Sequence, residues 1–135
     1  MPELPEVETV RRDLDRLLPG RIFGQTGGPF PGSVKGTGFK DFAKSLRGRK
    51  IVKIKRRAKY LLISLDSGRT LVIHLKMTGV LQHQKKDDSL PKSARIIFYF
   101  KDGTRLVFSD QRKFGSIKLV ESPNDLPEIK KLGPE

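Results

Sequence analysis

The chain has 135 residues, with 28 Lys and Arg against 15 Asp and Glu and a formal charge of +13. It has no Cys, which excludes disulfides and thiolate metal sites within it, and no apolar run approaches a transmembrane span. The length suggests one domain that buries roughly two-thirds of its unfolded surface, and the charge favours a polyanionic partner.

The first predicted element is a helix. Val7, Val10, Leu14, Leu17 and Leu18 recur at helical spacing, and Arg11, Arg12, Asp13, Asp15 and Arg16 fall on the other side. Charges scattered through the first sixteen positions argue against a signal peptide, so a cytoplasmic protein is the default expectation. Pro19-Gly20 stops the helix. Residues 24–38 hold six Gly and two Pro with little apolar content and read as a flexible loop. A short helix follows from Phe39 to Arg47, with Phe39, Phe42 and Leu46 facing inward and Gly48 ending it.

From there the pattern is β. Ile51–Arg57 leads into Tyr60–Leu65, the turn Asp66-Ser67-Gly68, and Thr70–Leu75. Alternation places Leu61, Ile63 and Leu65 on one face, and Leu71, Ile73 and Leu75 likewise. Residues 82–93 read as a polar loop. Ala94–Phe100, the turn Lys101-Asp102-Gly103 and Arg105–Ser109 form a second hairpin. Ile117–Val120 adds a strand, and Asn124–Glu135 is a short helix or turn. Short strands with regular turns and no βαβ alternation predict a mainly β fold, an antiparallel β-sandwich of about eight strands with helices packed outside it.

Three stretches carry candidate chemistry. The start, Met1-Pro2-Glu3-Leu4-Pro5-Glu6-Val7-Glu8-Thr9, places a proline where removal of Met1 leaves a free secondary amine, with Glu3 and Glu6 close behind. An α-amino group titrates near ~8 against ~10.4 for lysine, which makes it an amine nucleophile at neutral pH. Attack on a sugar carbon gives a cationic iminium, and that cation favours elimination. The same residues also suit helix initiation, because Pro5 fits a first turn and Glu6 and Glu8 suit its positive end. Both readings can hold, since a helix would fix the amine in place.

The second stretch is basic. Lys44, Arg47, Arg49, Lys50, Lys53, Lys55, Arg56, Arg57 and Lys59 lie within sixteen residues that contain no acid. A solvated basic face is the plain reading and a nucleic-acid footprint the functional one; a membrane surface is the weaker option. The third stretch is a pair of strand ends. His74-Leu75-Lys76-Met77-Thr78-Gly79 places His74 away from the Leu71/Ile73/Leu75 face, and Met77 reads either as gap-filler or as core. Asp110-Gln111-Arg112-Lys113-Phe114-Gly115 combines an aromatic wedge with a guanidinium for base edges, or is a basic turn anchored by Phe114.

Taken together, Pro2 to Thr9, Arg56-Arg57-Ala58-Lys59-Tyr60-Leu61, His74-Leu75-x-Met77-x-Gly79 and Asp110-x-Arg112-x-Phe114-Gly115 resemble the bacterial formamidopyrimidine-DNA glycosylases, in the family's order and at about its spacings. The Leu at position 4 resembles that branch rather than the endonuclease VIII branch. The resemblance implies base-excision repair: a glycosylase and AP lyase that removes 8-oxoguanine and formamidopyrimidines and cuts the strand by β,δ-elimination. It implies Pro2 as the nucleophile on C1′ of the flipped nucleotide and Glu3 as the acid that helps open the sugar ring. Glu6 supports the same pocket, and Lys59 contacts phosphate and serves in elimination. Met77, Arg112 and Phe114 fill the void left by an extruded base, with Arg112 facing the orphaned base, and His74 contacts phosphate.

The implied partner is double-stranded DNA with a damaged or abasic site, met by a monomer, with no membrane and in the cytoplasm on nucleoid DNA. The family continues with a helix–two-turn–helix segment and a structural zinc held by four Cys; neither is in this chain, so no cofactor is expected in it. Residues 1–135 therefore read as one N-terminal catalytic domain, with Leu132-Gly133-Pro134-Glu135 resembling the linker to the second, and turnover of an intact lesion is expected to be impaired without that second domain. Residues 24–38 differ from the family's usual segment, and Lys92-Ser93 stand where many members carry a DNA-contacting His. Two other readings stay open: a non-catalytic basic DNA-binding β-domain, and a structural half of a larger repair enzyme.

Overall fold

The computed structural model describes residues 4–112 and 115–130. Its eight strands are β1 (Phe23–Gly27), β2 (Ile51–Arg57), β3 (Tyr60–Leu65), β4 (Thr70–His74), β5 (Gly79–Gln84), β6 (Ala94–Phe100), β7 (Arg105–Asp110) and β8 (Ser116–Val120). They form two antiparallel four-stranded sheets, ordered β1-β6-β7-β5 and β2-β3-β4-β8. The helices are α1 (Leu4–Leu17), α2 (Phe39–Leu46) and α3 (Pro127–Lys130). The expected β-sandwich is therefore the fold.

The period of two decides which face is inside. In the second sheet Ile54, Ile63 and Leu71 lie side by side, as do Leu61, Ile73 and Ile117, and all are buried. Facing them, Phe98 pairs with Leu106, and Ile96 with Phe108. Phe23, Phe42, Phe98 and Phe100 interlock between β1, β6 and α2, with ring centroids 5.2 to 6.3 Å apart. Each such ring stabilises the fold by about 2–3 kcal/mol through burial.

The helices seal the open sides. α1 packs against β2 and β5, the edge strands of the two sheets on one side, and inserts Val7 and Leu14 into the core, joined by Leu18 just after the helix. It also satisfies the β2 edge: Ile54 N–H donates to Asp15 Oδ1 at 2.9 Å, and Arg11 donates to the Ile54 carbonyl at 3.4 Å. Leu17, placed on the apolar stripe by spacing, is 38% exposed and lies at the edge of that contact. α2 covers β1, and the chain turns away after its C-cap Arg47 at Gly48, whose φ is +82°.

Two expected loops contain structure. Residues 24–38 hold most of β1 and a 3-10 turn at Pro31–Ser33, with Val34 bridged to Ile117. Their low apolar content hid an edge strand whose anchor, Phe23, lies just outside the glycine-rich part. Residues 82–93 hold the end of β5. That strand is also an edge, so Val80 is 53% exposed while Leu81 is 6%, and Gln82-His83-Gln84 reads as loop by composition. After β8 the chain makes a 3-10 turn and then α3, where Leu126 and Ile129 cover Leu62 and Val72 on the outer face. The linker-like Leu132–Glu135 lies outside the described residues.

Candidate active site at one end of the sandwich

Strand register places four sequence segments at one end. Arg57 pairs with Tyr60, Tyr60 with His74, and His74 with Ser116, so the β2–β3 turn and the β4 and β8 ends are neighbours. In the other sheet Gly79 pairs with Asp110, and Ala94 with Ser109. Residues 74–79 and 110–116 are therefore two of the three chain crossings between the sheets, the third being the long β1–β2 connection through α2, and both lie at this end. They are the two strand-end motifs singled out from sequence.

Close backbone approach sets the shape of both crossings. A Cβ on Gly79 would lie 2.4 Å from the Leu75 carbonyl oxygen, and one on Gly115 would lie 2.6 Å from Phe108 and 3.0 Å from Asp110 Oδ2. Among the described residues two non-glycines have a left-handed φ, Ala58 (+50°) and Lys76 (+57°), and both are here. Ala58-Lys59 is the two-residue tip of the β2–β3 hairpin, so Lys59 stands at the apex of a tight turn, partly buried.

α1 joins this end through Glu8. Its carboxylate accepts from Arg11 and Arg12 of its own helix and from Arg56 of β2, with all of these bonds at 2.9 Å. The hydrogen bonds from Arg11, then Arg56, hold the Glu8 pKa down at about 2 from 4.5. Arg56 also donates to the Ala58 carbonyl at 2.9 Å. A continuous chain of bonds thus links the start of α1 to the turn that carries Lys59. Glu6, two residues nearer the N-terminus and so on another side of α1, is exposed and lines a cavity of about 300 Å³ with Val7, Val10, Leu75, Met77 and Val80. Pro2 and Glu3 lie outside the described residues.

Met77 is 48% exposed, so it is not a core residue. Arg112 is exposed and reaches back to it, with guanidinium nitrogen to sulfur at 3.6 Å. Phe114 lies outside the described residues. His74 is on the outer face as alternation predicted, yet only 8% exposed. Its ring meets Tyr60 edge-on at 4.4 Å, and Nδ1 accepts from the Lys76 N–H at 3.1 Å.

The basic run does not gather at this end. Arg49 sits 3.8 Å from Asp66 in the turn at the far end. Seven-residue β2 then carries Lys53, Lys55, Arg56 and Arg57 toward the site, a span of about 20 Å. The run is a ridge along the molecule rather than a patch.

Three residues here escaped the sequence reading of roles. Glu8 was read as a helix-start acid; Arg11 and Arg12 at i+3 and i+4 were the available sign of its pairing. Asp110 and Thr78 stood inside the motifs with no role, and nothing local shows that they touch.

The sequence profile of the formamidopyrimidine-DNA glycosylase N-terminal domain matches residues 1–117. The chain belongs to the formamidopyrimidine-DNA glycosylase family. It is 42% identical over 137 residues to the formamidopyrimidine-DNA glycosylase of Pelotomaculum thermopropionicum, covering 100% of this chain and 50% of that protein. With the Lactobacillus acidophilus enzyme of the same name the identity is 42%, covering 100% and 49%. Among solved structures it resembles Lactococcus lactis Fpg crystallised with abasic-site DNA, at a TM-score of 0.88 and 35% identity over 96% of this chain and 48% of that one. The complex of that protein with DNA containing FAPY-dG gives a TM-score of 0.87, again at 35% identity with 96% and 48% covered. The chain thus spans about half the length of the family members it matches. Among the described residues no helix is long and apolar enough to cross a membrane.

Proposed function

We propose that this chain is the N-terminal catalytic domain of a bifunctional DNA glycosylase and AP lyase for oxidised purines, 8-oxoguanine and formamidopyrimidines. The observation that carries this reading is the convergence at one end of α1's first turns, the Lys59 turn and the two crossings that bear Met77 and Arg112. The Pro2 amine attacks C1′ of an extruded nucleotide, and the base leaves with the C1′–N bond electrons. Glu3 gives a proton to the ring oxygen as the sugar opens, and loss of the amine proton leaves an iminium. That iminium acidifies C2′, and elimination expels the 3′ and then the 5′ phosphate. Glu6 supports the pocket, Lys59 contacts phosphate and assists elimination, and Met77, Arg112 and Phe114 hold the gap. His74, held by Tyr60 and the Lys76 N–H, contacts phosphate.

The partner is double-stranded DNA with a damaged or abasic site, met by a monomer in the bacterial cytoplasm. The reaction proposed for this chain uses side chains and the N-terminal amine, with no cofactor. Binding is expected to be salt-sensitive, with a slope of log affinity against log salt that grows by about one for each phosphate neutralised.

Borohydride trapping tests the chemistry. The chain with a free Pro2 is expected to form a covalent adduct with an abasic-site duplex, and excision of an intact oxidised purine by residues 1–135 alone is expected to be far slower, because they span about half the length of the family members they match. Retaining Met1, or acetylating the terminus, is expected to abolish trapping. Equal trapping by the blocked protein would move the nucleophile to a lysine such as Lys59. Salt-sensitive binding without any trapping would favour a non-catalytic DNA-binding domain instead.

A further inference from the structure

We propose that Asp110 and Thr78 form a clasp that sets Met77 and Arg112 as one unit, and that the preference for DNA with a missing base depends on the Thr78–Asp110 hydrogen bond. This rests on the gap-filling role proposed above for Met77 and Arg112. Asp110 ends β7 and is completely buried. A buried carboxylate is tolerated only where donors surround it. Oδ2 accepts from Gly115 N–H at 2.6 Å, and Oδ1 accepts from Arg112 N–H at 3.3 Å. Those donors belong to its own crossing and shape a local turn, as Asp side chains commonly do.

The third donor is different. The Thr78 hydroxyl donates to Oδ1 from the other crossing, 32 residues away in sequence. Its oxygen accepts in turn from Arg112 N–H at 3.3 Å, and the Arg112 side chain returns to Met77 Sδ. The result is a closed ring through Met77, Thr78, Asp110 and Arg112. Asp110's backbone is held independently: its N–H donates to the Ser93 carbonyl, and its carbonyl accepts from Arg95 Nε, both at 2.9 Å. Loss of the Thr78 hydroxyl therefore leaves Asp110 in place and removes the hydrogen bonds that tie Thr78 to Asp110 and to the Arg112 N–H. Asp110 and Thr78 are positioning residues, since they act through the side chains that reach the DNA.

Thr78→Val keeps the shape and removes the hydroxyl; Thr78→Ser restores it. The affinities of both variants and the unmodified chain are measured, at one salt concentration, for a duplex with a tetrahydrofuran abasic analogue and for the same duplex intact. Thr78→Val is expected to lower the abasic-to-intact affinity ratio about tenfold, as loss of a charge-assisted hydrogen bond does, with intact-duplex affinity unchanged and Thr78→Ser restoring the ratio. A second readout needs no DNA. Met1 and Met77 are the chain's two methionines, so the labelled Met77 methyl resonance is readily assigned. It is expected to move in Thr78→Val toward its position in Arg112→Ala, and to return in Thr78→Ser. An unmoved methyl signal, or equal losses on both duplexes, overturns the clasp. If the unmodified chain prefers the abasic duplex and Thr78→Val keeps that preference, the clasp fails by itself. If the unmodified chain has no such preference, the gap-filling reading fails, and the clasp's role in selectivity with it.

Discussion

The two ends of the sandwich differ in where left-handed backbone falls, although long-range ion pairs tie both: at the far end Asp102 accepts from Arg21, 81 residues away in sequence. At the far end the hairpin turns follow local chemistry. Gly68 and Gly103 take the left-handed positions, with φ of +89° and +91°. Asp102 accepts from its neighbour Thr104, from N–H at 2.8 Å and the hydroxyl at 2.6 Å. At the site end the left-handed positions fall on Ala58 and Lys76, each a cost of about 1–2 kcal/mol for an L-residue. The acids there reach across the fold: Glu8 meets Arg56 over 48 residues, and Asp110 meets Thr78 over 32. Local turns give a sheet its register cheaply. Tertiary bonds can hold backbone in shapes that local preference opposes, and such shapes gather where side chains must be aimed.

The largest effect that would sharpen this contrast is a methyl group at Gly79. The atoms it meets are the Leu75 carbonyl oxygen at 2.4 Å and the Leu75 Cα at 2.8 Å, and neither can move without unfolding the crossing. Gly79→Ala is expected to destabilise by about 3 kcal/mol. Gly68→Ala at the far end meets nothing within 4 Å and should cost only the backbone strain, about 1 kcal/mol. Urea unfolding of the two variants measures the difference. Equal losses would mean that the crossing yields as readily as a hairpin turn.

This contrast also explains what was legible. The far end and the core were: the Leu61/Ile63/Leu65 alternation and the Asp66-Ser67-Gly68 and Lys101-Asp102-Gly103 turns announce their structure locally. β1 and β5 were not, because an edge strand buries one face and carries Gly and Gln in the remainder. The motif residues of the site were legible through family resemblance. The placement of Met77 and Arg112 at neighbouring inter-sheet crossings depends on strand order, which no local pattern encodes. Asp110, Thr78 and Glu8 were missed as partners for the same reason, since each acts over tens of residues. The basic run follows the predicted strand: contiguity in sequence becomes a ridge of about 20 Å along Ile51–Arg57.

A smaller effect has opposite signs at the two ends. Ala58→Gly removes a Cβ from a left-handed position and is expected to stabilise by about 0.5–1 kcal/mol, the relieved strain exceeding the added freedom of the unfolded chain. Gly68→Ala runs the other way. The stabilised variant should nevertheless trap abasic DNA more slowly, because a looser hairpin tip aims Lys59 less well. Thermal unfolding with parallel trapping rates checks both halves. If Ala58→Gly destabilises, the positive φ is comfortable there and the site end stores no strain at that turn.

The last expected effect is the one with the clearest sign. Glu8 titrates at about 2 in the folded chain against 4.5 for an ordinary carboxylate, held down first by Arg11 and then by Arg56. A depressed folded pKa contributes stability that is complete above the unfolded value and is lost as pH falls through the folded one. The stability difference between the unmodified chain and Glu8→Gln should therefore be constant above about pH 5, shrink between about 4.5 and about 2, and be least below that. At Asp102 burial pushes the pKa up, while the bonds from Thr104 and Arg21 outweigh it and leave a net lowering. Asp102→Asn should thus show a step of the same sign at the far end. The consequences differ, because protonating Glu8 also releases Arg56, which is bonded to the Ala58 carbonyl. Acid should loosen the Lys59 turn before it unfolds the sheets. Amide exchange in residues 56–60, followed from neutral pH downward, should accelerate ahead of exchange in 101–104; simultaneous acceleration would place the two ends in one cooperative unit and remove the distinction between them.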